Sequence, residues 1–563
     1  MSGYVTPFIP GWDCHGLPIE YKVVEKAQGL DAAEIRRRCE SFARDFIDIQ
    51  RESFMRLGVL AAWDTPYLTL EPKYEADIIR AFSKFIEQDL VYSSKKPVQW
   101  SFGAQTALAE AEVEYKDVTD TAIFVKFQIL SGELAEKSSL VIWTTTPWTL
   151  PANLAIALNQ KFDYIDGEFT DNENTTHRLI IAKDLVEKFE EKTEFKLTLT
   201  VNTLKGHDFK DCYTAHPFLD RHSPVIFGDF VTTETGTGAV HIAPGHGGDD
   251  YLAGKAAGLD VLSPVDDLGN YTEEVGISDL VGKHVLKSND HIIQILEKQN
   301  AIVGQEEYTH SYPHCWRSKT PIIFRAVPQF FISIESFREE ALKEIDKVDW
   351  LPSKNRNRIY GTVEARPDWC ISRQRTWGVP LPIFYDGSGA PLINSETAKQ
   401  VADIIEKEGS NIWFEKNDSW WTEKLGLKSD CTRCGDTLDV WIDSGTSHIA
   451  VCDKHPQLHS PADLYLEATD QHRGWFQSSL MISMVTKGTA PYKSVLTHGF
   501  VVDQDTGKKV SKSDQSNNDQ KKKKKVKPME ADHFISKFGA DILRLWVASV
   551  DWETEVPFGE GLF

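Results

Sequence analysis

Between residues 119 and 310 the chain changes character, and that change limits the folds open to it. Short alternating runs, Ala122-Ile123-Phe124-Val125-Lys126-Phe127, Leu140-Val141-Ile142-Trp143 and Leu179-Ile180-Ile181, are broken by Gly, Asp and Asn clusters. Alternation at period two, with turn residues between the runs, predicts strands. The flanks follow another period. Apolar residues within Ala32–Ile49, and Ile78, Ile79, Phe82, Phe85, Ile86 and Leu90, fall three and four apart, which predicts core-packing helices over 21–60 and 73–92. After Tyr312 the chain returns to mixed α/β, and residues 530–548 are again helical. A separate β-rich domain set into a helical and α/β framework accounts for this order.

A length of 563 residues suggests three or four domains. The net charge of −22 argues against a protein that coats nucleic acid without specificity, and leaves room for a local basic face. Eight irregularly spaced cysteines form no disulfide framework, which points to a reducing compartment. No apolar run reaches ~18 residues, and the first residues lack a basic segment followed by an apolar one. A cytoplasmic protein with no membrane partner is the expectation.

Six stretches carry chemistry-bearing residues. Gly11-Trp12-Asp13-Cys14-His15-Gly16-Leu17-Pro18-Ile19-Glu20 is a loop by its glycines and proline, and its apolar residues predict burial. Asp13 and His15 are its groups able to hold a charged substrate; the plain alternative is a turn with a capping Asp. Lys508-Lys509-Val510-Ser511-Lys512-Ser513 follows a turn, and its lysines suit a developing phosphate charge, although most such runs are simply solvated. Leu466-Glu467-Ala468-Thr469-Asp470-Gln471-His472 places polar groups after an apolar run, beside a strand-like Asp439-Val440-Trp441-Ile442-Asp443. Strand ends of this kind line substrate clefts in α/β sheets, and also serve as ordinary helix starts. In the β-rich region, Trp143-Thr144-Thr145-Thr146-Pro147 through Asn153, and Gly236 through Tyr251 with His241, His246 and Asp250, supply hydroxyls, imidazoles and carboxylates for a small polar pocket. Cys431 and Cys434 are half of a zinc site, with His314 or Cys315 conceivable as the rest; two ordinary thiols is the plainer reading, and no metal site is expected.

In this order the stretches resemble the isoleucyl branch of the class I aminoacyl-tRNA synthetases. Lys509–Ser513 is similar to the family's Lys-Met-Ser-Lys-Ser signature, with Val510 for Met. Glu467 through Trp475 resembles its adenylate-binding segment, and Asp368 through Pro380 a stretch shared by isoleucyl, valyl and leucyl enzymes. Ordered motifs are far more specific than any one alone. The resemblance implies an α/β fold, with a Rossmann-like parallel-sheet nucleotide-binding domain (1–116 and 313–515) interrupted by a β-rich editing domain (117–312). Residues 516–563 then hold a lysine-rich insertion and the start of a helical domain. It implies ATP-dependent activation of isoleucine, transfer to tRNA(Ile) and hydrolysis of mischarged valyl-tRNA(Ile). Asp13 and Gln471 would hold the substrate ammonium, Glu467 the adenylate, Gly499 the nucleotide, and Lys509 with Lys512 the pyrophosphate charge. Magnesium would accompany ATP. Thr144, Thr145, Thr146 and Asn153 would line the editing pocket, Asp250 would anchor the ammonium and His241 would face the substrate. A monomer is expected.

The chain departs from the family in two places. It begins too late for the His-x-Gly-His motif upstream of the Gly-Trp-Asp loop, and the anticodon-binding helices do not follow residue 546. The expectation is a fragment with impaired activation and an intact editing unit. Valyl or leucyl specificity, a nucleotidyl transferase of the same fold, and a non-catalytic or trans-editing tRNA-binding derivative are the open alternatives.

Overall fold

The computed structural model describes residues 6–25, 29–510 and 531–562. The chain divides into two compact units. One is formed by Met1–Ser93, Ala109–Ala111 and Phe330–Phe563, the other by Ser94–Leu108 and Glu112–Gln329.

The first unit is α/β. Strands Asp349–Leu351, Tyr492–His498 and Ala462–Ala468 form a parallel sheet in that order, with Leu466 opposite Leu496 and Glu467 opposite Thr497. Helix Pro72–Glu87 starts with Pro at its first turn, where a missing N–H costs nothing, and packs on helix Ser395–Glu408. Its stripe of Ile78, Ile79, Phe82, Phe85 and Ile86 is buried, each side chain contributing roughly 1.5–3 kcal/mol. The helical stretch expected over 21–60 is two helices, Leu17–Glu25 and Ala32–Arg56. Gly29 lies between them at φ 79°, and Asp31 caps the second by accepting from the Glu34 N–H at 2.8 Å. The last helical stretch is likewise divided, into Ala531–Phe538 and Ala540–Ser549, by Gly539 at φ 89°.

One local expectation is overturned. Asp439–Asp443 is not strand-like; Val440–Gly445 is a short helix. Asp439 accepts from the Trp441 N–H at 3.2 Å and so satisfies an orphan donor at the helix start. Five residues are too few for their periodicity to separate strand from helix.

The second unit is β-rich. Its six-stranded sheet runs in the order Lys196–Lys205, Asp163–Thr170, Thr176–Ala182, Ser139–Thr144, Val113–Gln128, Ile302–Cys315. A four-stranded sheet runs Tyr213–Ala215, His222–Phe227, Ala155–Leu158, Ala239–Ile242. Residues 155–158 are buried on both faces, which is why they read as a continuous apolar run without alternation.

Candidate functional site

Each unit gathers its own polar cluster. In the first, Gly11–Glu20, expected as a loop throughout, is one only at 13–16, between strand Gly11–Trp12 and helix Leu17–Glu25, and this turn is seated on Trp377. The Gly16 N–H donates to the Trp377 carbonyl at 3.3 Å, and the Trp377 indole donates to the Cys14 carbonyl at 2.8 Å. The Cys14 N–H donates to Thr69 Oγ1 at 2.9 Å, and Glu20 accepts from the N–H groups of Thr376 and Trp377 at 3.0 and 2.8 Å. A Cβ on Gly11 would lie 1.9 Å from the Tyr67 ring, so the backbone approach there requires glycine.

His15 is buried under this loop. Its Nδ1 is 2.7 Å from Asp443 Oδ2 and its Nε2 3.4 Å from Glu75 Oε1. Burial drives both His15 and Asp443 towards their neutral forms. The two carboxylates tip the balance: the hydrogen bond to Asp443 and the pull of Glu75, 3.4 Å from an Nε2 that makes no hydrogen bond, outweigh desolvation and raise the imidazole to about 9. Asp13 is exposed, yet set among protein groups. Desolvation first, then the Asp443 charge, raise its carboxyl to about 7, while His15 and a hydrogen bond from Ser444 oppose the rise and Glu467 adds to it. Water on its open side screens part of that shift.

Glu467 stands near the carboxyl end of its strand, and desolvation raises its carboxyl as well. Gln471 follows in a short turn and accepts from the Trp475 N–H at 3.0 Å, capping helix Trp475–Lys487. Lys509 Nζ donates to Asp470 Oδ2 at 3.0 Å and lies 3.9 Å from the Phe500 ring centre. The structure thus brings Lys509 to the segment carrying Glu467 and Gln471. Lys512, with Ser511, Ser513 and the lysines at 521–525, lies outside the described residues. Gly499 has a structural reason to be glycine, because a Cβ there would meet the Thr554 carbonyl at 1.8 Å. Gly499→Ala should lower the thermal midpoint of this unit by several degrees, a shift readable by calorimetry; an unchanged midpoint would show that the backbone relaxes freely.

In the second unit, Thr144–Thr146 leads into the turn Pro147–Ala152. Thr144 and Thr146 Oγ1 are 3.2 Å apart, with half-buried Thr145 between them. Thr149 Oγ1 lies 2.8 Å from His241 Nε2 and donates to the Thr146 carbonyl at 2.9 Å. Asn153 Nδ2 donates to the Ala155 carbonyl at 2.8 Å and lies 3.3 Å from His241 Nδ1. Because an amide nitrogen only donates, Nδ1 accepts and Nε2 carries the proton towards Thr149. Desolvation lowers His241 to about 4, so the ring is neutral. Both its nitrogens are engaged by protein, so His241 orients Thr149 instead of facing open space. Asp250, on helix Gly248–Ala256, turns back to accept from the Ala243 N–H at 2.9 Å. Desolvation raises its carboxyl to about 6. A Cβ on Gly247 would fall 2.1 Å from Asp250 Oδ2, which explains the small residue beside the carboxylate.

Glu75, Ser444 and Ser223 lie outside the stretches expected from the sequence to carry chemistry, and Thr149 lies inside one without being singled out. Glu75 had a signal, being a charge three, four and seven residues before Ile78, Ile79 and Phe82, on the apolar stripe of its helix. Ser223 donates to Asn153 Oδ1 at 2.6 Å, a contact no spacing announces. Cys431 and Cys434 are buried free thiols, and burial pushes Cys434 up to about 12. Among the described residues no group of three or more His, Cys, Asp or Glu is arranged to hold a metal ion, and no helix is long and apolar enough to cross a membrane.

Comparison with known proteins follows the same lines. The chain is 47% identical over 576 residues to an isoleucine--tRNA ligase of Methylacidiphilum infernorum, an alignment covering 100% of this chain and 61% of that protein. It is 47% identical over 572 residues to the enzyme of that name from Petrotoga mobilis, covering 99% of this chain and 60% of that protein. The chain therefore spans about 60% of the length of these curated relatives. The family model for tRNA synthetases class I (I, L, M and V) matches residues 1–558. With that match running through both polar clusters, the chain belongs to the class I tRNA synthetases.

Proposed function

We propose that this chain carries the activation and editing sites of an isoleucine--tRNA ligase. In activation, the isoleucine carboxylate attacks the α-phosphorus of ATP, and pyrophosphate leaves with its magnesium as part of the substrate. The terminal hydroxyl of tRNA(Ile) then attacks the acyl carbonyl and AMP departs. Asp13 and Gln471 hold the ammonium, Glu467 the adenylate, and Gly499 lies by the nucleotide. Lys509 and Lys512 stabilise the leaving pyrophosphate charge. The observation that carries this reading is Lys509 paired to Asp470, between Glu467 and Gln471 at the carboxyl edge of a parallel sheet. The names of relatives 47% identical along the whole chain support isoleucine as the amino acid.

The second site hydrolyses valyl-tRNA(Ile). A methylene in an apolar pocket is worth only about 1–3 kcal/mol, a limit for which isoleucine against valine is itself the reference case, so a second pocket is needed. Thr144, Thr145, Thr146 and Asn153 line it, Asp250 holds the ammonium, and His241 fixes the Thr149 hydroxyl. A cytoplasmic monomer acting on tRNA(Ile) completes the proposal.

Calorimetric titration with non-hydrolysable isoleucyl-, valyl- and leucyl-adenylate analogues tests the activation site. The isoleucyl analogue should bind about 10-fold or more tighter than the valyl one. Tighter binding of the valyl or leucyl analogue would reassign the substrate, and binding of none would remove the activation site from the reading.

A further inference from the structure

The cluster beneath the amino-acid loop has a part in the reaction that the roles above leave unassigned. His15 lies two residues from Asp13, and consecutive residues of one short helix act on the pair. His15 Nδ1 meets Asp443 at 2.7 Å, and Ser444, the next residue of that helix, favours an ionised Asp13. Ser444 also accepts the Trp475 indole N–H through its carbonyl at 2.9 Å. The helix is itself tethered, since Asp439 pairs with Arg373 at 2.9 Å and the Tyr74 hydroxyl donates to the Asp443 carbonyl at 2.9 Å. Asp443 Oδ1 is buried with no hydrogen-bond partner among the described residues.

We propose that His15 is a positioning residue for amino-acid activation: clamped between Asp443 and Glu75, its ring locks the loop to helix Val440–Gly445 and supplies the buried positive charge that balances the carboxylates around Asp13. The inference rests on the reading of Asp13 as the holder of the substrate ammonium.

The charged groups around the ring divide by sign. Asp443 faces it from helix Val440–Gly445, Glu75 from helix Pro72–Glu87, and Asp13 from its own loop. Arg36 acts on Glu75 from helix Ala32–Arg56, and Glu467 acts on Asp13 from its strand. Half-buried Tyr67 and buried Tyr74 are neutral phenols beside Asp13. Thus Asp443 and Glu467 disfavour an ionised Asp13, and the His15 imidazolium favours it. Three carboxylates with no counter-charge would hold a proton in place of a substrate ammonium.

The test is isoleucine affinity by calorimetry from pH 6 to 8.5, in the wild-type chain and in His15→Gln. Glutamine keeps a hydrogen bond to Asp443 and removes the charge. A group that only props up the loop would weaken binding equally at every pH. A counter-charge predicts that the acid limb of binding moves up by about one unit, because an opposite charge within about 4–6 Å is worth 1–3 units. Affinity at pH 7 then falls roughly 10-fold and recovers towards pH 8.5. Uniform weakening, or an unmoved acid limb, overturns the proposal. Should the variant fail to fold, the ring is followed by NMR in labelled wild-type protein. A His15 ring doubly protonated at pH 8 supports the clamp, and one that titrates near 6.5 overturns it. A wild-type chain that binds isoleucine at no pH instead overturns the assignment of Asp13, and the inference with it.

Discussion

Replacing Arg36 with methionine should destabilise the first unit by about 3–5 kcal/mol. Arg36 is 1% exposed, and its guanidinium donates to Asn411 Oδ1 at 2.6 Å, to the Thr376 carbonyl at 2.7 Å and to the Gly378 carbonyl at 2.9 Å. It also binds Ser410, whose N–H and hydroxyl go to Glu75. Its plane lies 4.5 Å from the Phe414 ring centre and 5.2 Å from that of Trp377. Burial lowers the guanidinium to about 10, which still leaves it charged at neutral pH. Methionine fills similar volume but orphans the Thr376 and Gly378 carbonyls, each at about 1–3 kcal/mol, and leaves Glu75 with His15 as its one remaining nearby cation among the described residues. Urea unfolding followed by tryptophan fluorescence reads the change, with the two units fitted as separate transitions. The exposed Arg37 and Arg38, paired with Glu34 at 2.9 and 2.7 Å, are the comparison, and their removal should leave the transition in place. A loss under 1 kcal/mol for Arg36→Met would show that the guanidinium is not what holds Thr376–Gly378 beneath the loop.

Asp250→Asn should slow hydrolysis of valyl-tRNA(Ile) by about 100-fold or more. Truncating one partner of a desolvated charge pair costs about 2–5 kcal/mol, and each 1.4 kcal/mol is a factor of ten. The pH profile provides a second reading. The Asp250 carboxyl is raised from 3.8 to about 6, so it is ionised, and able to hold an ammonium, only above that range. Wild-type hydrolysis should fall as pH drops through about 6, and the asparagine variant should lack that limb. Loss of activity will not reflect unfolding. Between 3.8 and about 6 the folded carboxyl keeps its proton while the unfolded one has lost it, so Asp250 lowers stability as pH rises through that window. Removing the ionisable group therefore spares the fold, and asparagine can still accept from Ala243. Deacylation of pre-formed valyl-tRNA(Ile) is the assay, with the exposed Asp249→Asn as control. An unchanged rate in Asp250→Asn would move the ammonium site elsewhere.

Much of the architecture was legible because local pattern and tertiary environment agree. Helix Pro72–Glu87 shows its apolar stripe at three- and four-residue spacing, and the structure buries that stripe. Strands Ser139–Thr144 and Thr176–Ala182 appeared as short β-branched runs between turn residues. The short helix Val440–Gly445 did not, since one and a half turns leave no period to count. Sites were legible as inventories of residues and not as geometries. The Thr-rich and Gly-His-Gly stretches were visible, but the contact of Thr149 with His241 spans 92 residues and that of Asn153 with His241 spans 88. His241, expected to face a substrate, is held by protein on both sides for this reason.

The order and spacing of Gly11–Glu20, Thr144–Asn153, Gly236–Tyr251, Glu467–Trp475 and Lys509–Ser513 were enough, with no coordinates, to bring this chain to the class I tRNA synthetases. So were the two periodicities that separate a β-rich stretch from its α/β flanks, because both are properties of neighbouring residues. Only the tertiary structure decided which groups share a buried space. His15 and Asp443 stand 428 residues apart in sequence and 2.7 Å apart in the fold. Ionisation depends on desolvation and on charges within a few ångströms, quantities that exist only after the chain has folded. That is why the same structure raises the His15 imidazole to about 9 and lowers that of His241 to about 4.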